Sequence, residues 1–135
     1  SDVYKRQTFD SGLIALSTST FNKTVIIGSS SLETAQTNIN TTDPVSIDSF
    51  DATLYRSCRS VVQVTDGDFF ALTEIVMLHD NQGQIYKSEY GIINTGNPLG
   101  EFTADLTGGR LVLYFTAYDA SQPISVNVVR TTISN

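Results

Sequence analysis

The sequence predicts an all-β protein whose residues 44–135 form an antiparallel β-sandwich, either of the jelly-roll type or an immunoglobulin-like meander. Short apolar-rich segments follow one another along this part of the chain. Clusters of Gly, Asn, Asp and Pro separate them at the intervals that antiparallel sandwiches show. Residue types used in catalysis are scarce, with one His and one Cys in 135 residues. The pattern therefore indicates a stack of hairpins rather than an enzyme built around a cleft.

The first predicted strand is "VSIDSF", residues 45–50, which follows Asp43-Pro44. Proline cannot donate to a strand ladder, and it forces the preceding residue into extended geometry, so a boundary is expected there. The later strands occupy the apolar segments 54–64, 69–79, 84–93, 101–106, 110–118 and 124–133. The predicted turns lie at residues 66–67, 80–83, 96–98, 108–109 and 121–123.

Residues 8–43 are rich in Ser, Thr and Asn and are predicted to form an irregular leader with short strands. Their apolar stretches, Leu13–Leu16 and Val25–Ile27, are too short to offset the entropy of folding alone. We therefore expect them to pair between copies of the chain or against the sandwich. Residues Ser31–Gln36, "SLETAQ", are compatible with a single turn of helix.

Residues Ser1–Gln7 resemble a translated sequencing adapter, because "DVYKRQ" is one reading frame of a transposase end sequence found on reads from environmental libraries. We expect residues 1–7 to be an artefact of this origin and exclude them from the fold. The leader is then expected to be the end of a preceding module or stalk in a longer parent.

One hairpin can be predicted residue by residue. If Gly108-Gly109 forms a two-residue turn, the positions that face each other are fixed, and one side of the hairpin is entirely apolar. This side is the predicted core. It consists of Phe102, Ala104, Leu106, Leu111, Leu113 and Phe115.

The same reasoning applied to the turns at 66–67 and 80–83 predicts a row of three charged residues, Arg59, Glu74 and Glu89, across three strands. An ion-pair ladder that fixes strand register is the first interpretation, since two facing carboxylates need a cation between them. A ligand or cation site is the second. A glycosidase pair is disfavoured, because Arg59 would already bridge the acids and the chain has no Trp to line a sugar cleft.

No other catalytic, metal or cofactor site is predicted. Cys58 is expected to be a buried small residue, and His79, beside the turn at Asp80, a turn or surface residue. One His and one Cys do not make a zinc site or a catalytic triad. With 8 basic and 14 acidic residues, the net charge of −6 disfavours nucleic acid and anionic membranes as partners. No apolar run reaches the length of a membrane span.

Residues 44–133 resemble a module of virion structural and tail-fibre-type proteins from contractile-tailed phages of marine cyanobacteria. The resemblance lies in "DSF" followed by "YRS", in "VQVTDG", "TEI" with "LHD", "SEYG", "LGEFTADLTGG" and the closing "VRTTI". It implies a structural module of a tail fibre, baseplate or neck, located in the virion and acting by assembly and host-surface contact. The implied partners are other virion proteins, further copies of the chain, with a trimer favoured, and a host surface glycan. It implies no cofactor. The alternative is a carbohydrate-binding or adhesive sandwich of a secreted bacterial protein.

Overall fold

The computed structural model describes residues 24–135, which form nine β-strands and no helix. In chain order the strands are β1 (Val25–Ile27), β2 (Ser30–Ile39), β3 (Val45–Asp51), β4 (Tyr55–Asp66), β5 (Phe69–His79), β6 (Ile85–Asn94), β7 (Gly100–Thr107), β8 (Arg110–Ala117) and β9 (Ile124–Ser134). All neighbouring strands run antiparallel. The all-β, antiparallel prediction is confirmed.

The strands form two sheets that pack as a sandwich. The larger sheet has the order β1-β2-β9-β4-β5-β6, and the smaller sheet has the order β3-β8-β7. The last strand, β9, lies between β2 and β4 in the interior of the larger sheet, while β1 and β6 form its edges. The core fills the space between the sheets. Its largest fully buried members include Phe115, Ile75, Met77, Leu111, Leu113, Ile124, Val62, Val64, Val126 and Val128.

The hairpin of β7 and β8 has the predicted register. Phe102 lies opposite Phe115, Ala104 opposite Leu113 and Leu106 opposite Leu111. Four of the six predicted core residues are buried, and Ala104 and Leu106 pack against the core from its edge. The rings of Phe102 and Phe115 contact each other with centroids 5.2 Å apart.

The hairpin of β4 and β5 differs from the prediction by one turn position. Asp66 pairs with Phe69, so the turn is Gly67-Asp68 rather than Asp66-Gly67. Gly67 has φ +61° and occupies the first central position, which a type II′ turn gives to glycine. Arg59 therefore lies opposite Val76, two residues from the predicted partner Glu74. A shift of two keeps both side chains on the same face.

The prediction that Glu89 faces Glu74 is wrong. The loop between β5 and β6 spans five residues, 80–84, and His79 pairs with Ile85. The Asp80 side chain holds this loop by accepting hydrogen bonds from the backbone N–H groups of Gln82 and Gln84. The extra residue moves the side chains of residues 85–90 to the other face, and a register shift between Leu72 and Glu74 restores the predicted phase at Ile93 and Asn94. Glu89 consequently lies opposite Ile75, on the core side of the sheet.

Strand β2 is part of the larger sheet of the sandwich, although the predicted boundary at residues 43–44 places its residues in the leader. Ten residues of β2 pair with β9, and "SLETAQ" is part of this strand rather than a turn of helix. Pairing along a central strand outweighs the helix propensity of Glu33, Ala35 and Gln36. Val25–Ile27 pairs with β2, as expected of a segment that packs against the sandwich. Leu13–Leu16 and residues 1–7 lie outside the described residues.

Candidate functional site

The predicted charged row is divided between the two faces of the larger sheet. On the outward face, Nε and Nη2 of Arg59 both donate to Oε1 of Glu74, at 3.0 and 2.5 Å. Hydrogen bonding to the carboxylate of Glu74 raises the pKa of Arg59. On the inward side, Glu89 pairs with Lys87 of the same strand and lines a small cleft of about 170 Å³ with Thr73 and Phe102. The two carboxylates therefore cannot act together on one substrate.

A second charged group lies between the sheets, and its centre is Arg130. This residue belongs to the inward row of β9, between Glu33 on β2 and Ser60 on β4. Its side chain is only 3 % exposed. Asp48 approaches it from β3, in the other sheet, where a β-bulge between Ser46 and Asp48 interrupts the pairing with β8. The bulge directs both Ile47 and Asp48 toward the interior.

Arg130 connects three strands. Its Nη1 donates to Oδ1 of Asp48 at 2.6 Å and to the backbone carbonyl of Ser49 at 2.8 Å, while Nη2 donates to Glu33. The guanidinium also lies 5.5 Å from the centroid of the Phe50 ring. Its Nε is buried without an acceptor among the described residues. This geometry fixes the position of β3 relative to β2 and β9.

The electrostatics of this group are dominated by burial. Loss of solvation raises the pKa of Asp48 above its ordinary value of 3.8, and this effect exceeds the opposing effect of Arg130. Cys58 lies nearby, where burial raises the pKa of its thiol to about 11. Its side chain is 4 % exposed, as expected for a buried small residue. The thiol is therefore not poised for nucleophilic chemistry.

A cleft of about 580 Å³ opens beside Arg130 at one end of the sandwich. We call it the Arg130 cleft. Its volume is within the range of small-molecule sites. It combines two cationic and two acidic side chains with two aromatic rings, so it matches a neutral, hydroxyl-rich ligand better than an ion. Its lining comprises Thr24, Ile26, Ser31, Glu33, Phe50, Asp51, Leu54, Tyr55, Arg110 and Arg130.

The expectation that His79 is a turn or surface residue is wrong. It is the last residue of β5, is 6 % exposed, and its Nε2 forms a 2.7 Å hydrogen bond with the carbonyl of Tyr55. The carbonyl of His79 accepts a hydrogen bond from Arg56. His79 thus ties β5 to the start of β4.

Residues 24–135 contain no group of three or more His, Cys, Asp and Glu side chains that could hold a metal ion. The same part of the chain has no helix of the length and apolarity that a membrane span needs.

The outward faces of the two sheets differ in character. The outward face of the larger sheet carries an apolar row across all six strands, with Ile27, Ile133, Leu78 and Tyr86 separated by serines. Its neighbouring rows add Val129, Val61, Tyr90, Leu72, Ile93 and Phe70. In these rows Arg59 and Glu74 are the only charged residues described, and they bind each other.

The outward face of the smaller sheet is acidic. Glu101 and Asp105 project from β7, and Asp51 lies across the sheet from Arg110. Thr103 and Tyr114 lie between them. The sandwich therefore has one face that is rich in exposed apolar side chains and carries no net charge, and one acidic face.

Sequence reasoning missed the Arg130 group. A signal was present, because Arg130 has the same alternating phase as Ile124, Val126 and Val128 in "ISVNVVRTTI". A charged residue in the buried phase of a strand requires a buried partner. The partner Asp48 carried no such signal, since the β-bulge alone directs it inward.

No protein-family model and no curated protein matches the chain. Among solved structures, it is similar to the tailspike gp49 of Acinetobacter baumannii bacteriophage Fri1, a capsular polysaccharide depolymerase. The TM-score is 0.52, with 14 % identity over 86 % of this chain and 20 % of that chain. The tailspike of Acinetobacter phage vB_ApiP_P1 aligns with a TM-score of 0.48 and 11 % identity, over 96 % of this chain and 25 % of its own. The tailspike of Acinetobacter baumannii phage AM24 aligns with a TM-score of 0.45 and 9 % identity, over 79 % of this chain and 26 % of its own.

The chain thus spans a fifth to about a quarter of the tailspikes that it matches. At this identity, the likeness to the Fri1 protein shows a shared fold.

Proposed function

We propose that the chain is a structural module of a bacteriophage virion, within a tail fibre, baseplate or neck component, that acts by assembly and by contact with the host surface. The observation that carries the proposal is the outward face of the larger sheet. It presents Leu78, Val129, Ile133 and Phe70 to solvent at 44 to 60 % exposure. Broad apolar surfaces of this kind mark sites of protein association.

The shared fold supports the same proposal. A similar sandwich occurs within the tailspike of phage Fri1, of which it occupies a fifth. The proposal assigns this module no enzymatic role, although the Fri1 protein is a depolymerase. Glu74 and Glu89 lie on opposite faces, so they do not form the carboxylate pair that glycoside hydrolysis requires.

Genome context tests this proposal. The DNA that flanks the coding sequence should encode other tail, baseplate or neck components, and the open reading frame should extend into further structural modules. Flanking genes for bacterial secretion or surface display, with none for virion parts, would contradict it.

The Arg130 cleft favours a second candidate, a carbohydrate-binding sandwich. Tyr55 contributes an aromatic ring to the lining, and Arg110, Asp51 and Glu33 contribute the donors and acceptors that sugar hydroxyls use. A glycan array probed with the full chain tests it. Specific binding that is lost in Tyr55→Ala and kept in Tyr118→Ala, a change outside the cleft, would support a sugar site. Absence of binding to any glycan would remove this candidate.

A further inference from the structure

We propose that copies of this chain associate with each other through the outward face of the larger sheet, and this inference rests on the proposed assembly function. The occupant of the face is a second copy of the same chain.

The first argument concerns charge. The chain carries a net charge of −6, so two copies repel each other over most of their surface. The outward face of the larger sheet is an exception, because Arg59 and Glu74 neutralise each other there. A basic partner would instead match the acidic face of the smaller sheet. Because the outward face of the larger sheet carries no net charge, two acidic copies meet there with the least repulsion.

The second argument concerns area. Strands lie about 4.8 Å apart and rise about 3.3 Å per residue, so five full strands of ten residues present roughly 800 Å². A stable interface buries about 800 Å² on each partner. The face alone is therefore large enough for a specific interface between copies.

The third argument concerns shape. The row through Ile133, Leu78 and Tyr86 crosses all six strands, and only the small side chains of Ser30 and Ser57 separate its apolar members. Two sheets of this kind pack face to face with their side chains interdigitated, as the two sheets of a sandwich do. A twofold axis brings the same face of two copies together in this way.

Analytical ultracentrifugation of the full chain over a concentration series tests the inference. The wild type should sediment as an oligomer. Val129→Asp, which introduces a charge at the centre of the face, should lower the association constant by more than about tenfold. The matched control is Thr103→Asp, an exposed strand position on the acidic face, and it should associate like the wild type. If Val129→Asp fails to fold, Val129→Thr, which preserves β-branching, replaces it in the same measurement.

Hydroxyl-radical labelling of the wild type gives a readout that needs no variant. Tyr86 and Tyr90 lie on the face and are 57 and 40 % exposed, while Tyr118 lies outside it and is 61 % exposed. On association, labelling of Tyr86 and Tyr90 should fall and that of Tyr118 should stay constant.

Three outcomes would overturn the inference. These are a monomer at every concentration, an oligomer in which Tyr86 and Tyr90 remain as reactive as Tyr118, and a monomer in which both tyrosines are already protected. The last would mean that residues ahead of Thr24 occupy the face. None of them bears on the flanking genes, so failure of this inference can be distinguished from failure of the proposed function.

Discussion

Arg130 on β9 and Asp48 on β3 join the two sheets through a 2.6 Å hydrogen bond between Nη1 and Oδ1. The bond forms where the backbone of β3 bulges, and it is enclosed by Phe50 and by Glu33. Charge is rarely buried in a domain of this size unless it is paired. This contact therefore specifies how the smaller sheet is placed on the larger one.

Arg130→Met should lower the free energy of unfolding by about 3 to 5 kcal/mol, because it leaves the carboxylate of Asp48 buried without its cation. Urea denaturation at neutral pH measures the loss from the shift in midpoint at constant slope. Arg59→Met is the matched control, since the Arg59 side chain is 61 % exposed and its pair with Glu74 should contribute nothing measurable. Equal effects at the two arginines would contradict the role of Arg130.

The stability contribution of Asp48 should fall as pH rises. Its pKa is raised in the folded protein, mainly by burial, so the folded state binds this proton more tightly than the unfolded state does. The contribution is therefore fully present below pH 3.8, the ordinary value, and is lost as pH rises through the raised pKa. The difference in unfolding free energy between wild type and Asp48→Asn should decrease over that interval, as measured by urea denaturation across a pH series.

Asp51 provides the control with the opposite sign. Hydrogen bonds from the side chain and backbone of Thr53 lower its pKa, so its contribution should appear as pH rises and disappear in acid. The difference between wild type and Asp51→Asn should accordingly increase with pH. The same sign for both variants would refute this assignment.

Gly100→Ala should destabilise the fold by about 1 to 3 kcal/mol through overpacking. An added Cβ would lie 2.4 Å from both Cζ of Phe115 and the backbone oxygen of Thr116. In Gly96→Ala the added Cβ would lie 3.0 Å from the ring of Phe69, which is 51 % exposed and free to move. Both changes restrict the unfolded chain alike, so the difference between their thermal midpoints reports the clash. Equal midpoints would contradict the packing around Gly100.

Cys58 should not react with a thiol reagent such as DTNB in the folded protein at mildly alkaline pH. Its thiol is buried, and its pKa of about 11 leaves little thiolate. In urea, one thiol per chain should react rapidly. Rapid reaction without denaturant would show that the interior beside Arg130 is open.

A pair of strands could be predicted residue by residue where the turn residues between them determine the register. Gly108-Gly109 determined the register of β7 and β8, and the core residues of that hairpin followed. The loop before β6 could not be predicted in the same way. Its length depends on the hydrogen bonds that the Asp80 side chain accepts, and one residue of error placed Glu89 on the wrong face.

The interior charge was harder to predict than the strands. The alternation of β9 contained enough information to place Arg130 inside. Strict alternation from Ile47 would have placed Asp48 and Phe50 on the outside of β3. The β-bulge reverses this arrangement, and bulges leave little trace in a single sequence. Membership of β2 in the sandwich could not be predicted, because its residues are mostly polar and the neighbouring strand β9 supplies the apolar surface.

The central claim, that this sandwich is a part of a phage particle, is tested most directly by immunogold electron microscopy. An antibody raised against the full chain is applied to particles whose genome carries this coding sequence and to uninfected bacteria from the same source. Gold should lie on the tail or neck of the particles and be absent from the bacteria. Gold on bacterial surfaces, with none on the particles, would contradict the claim.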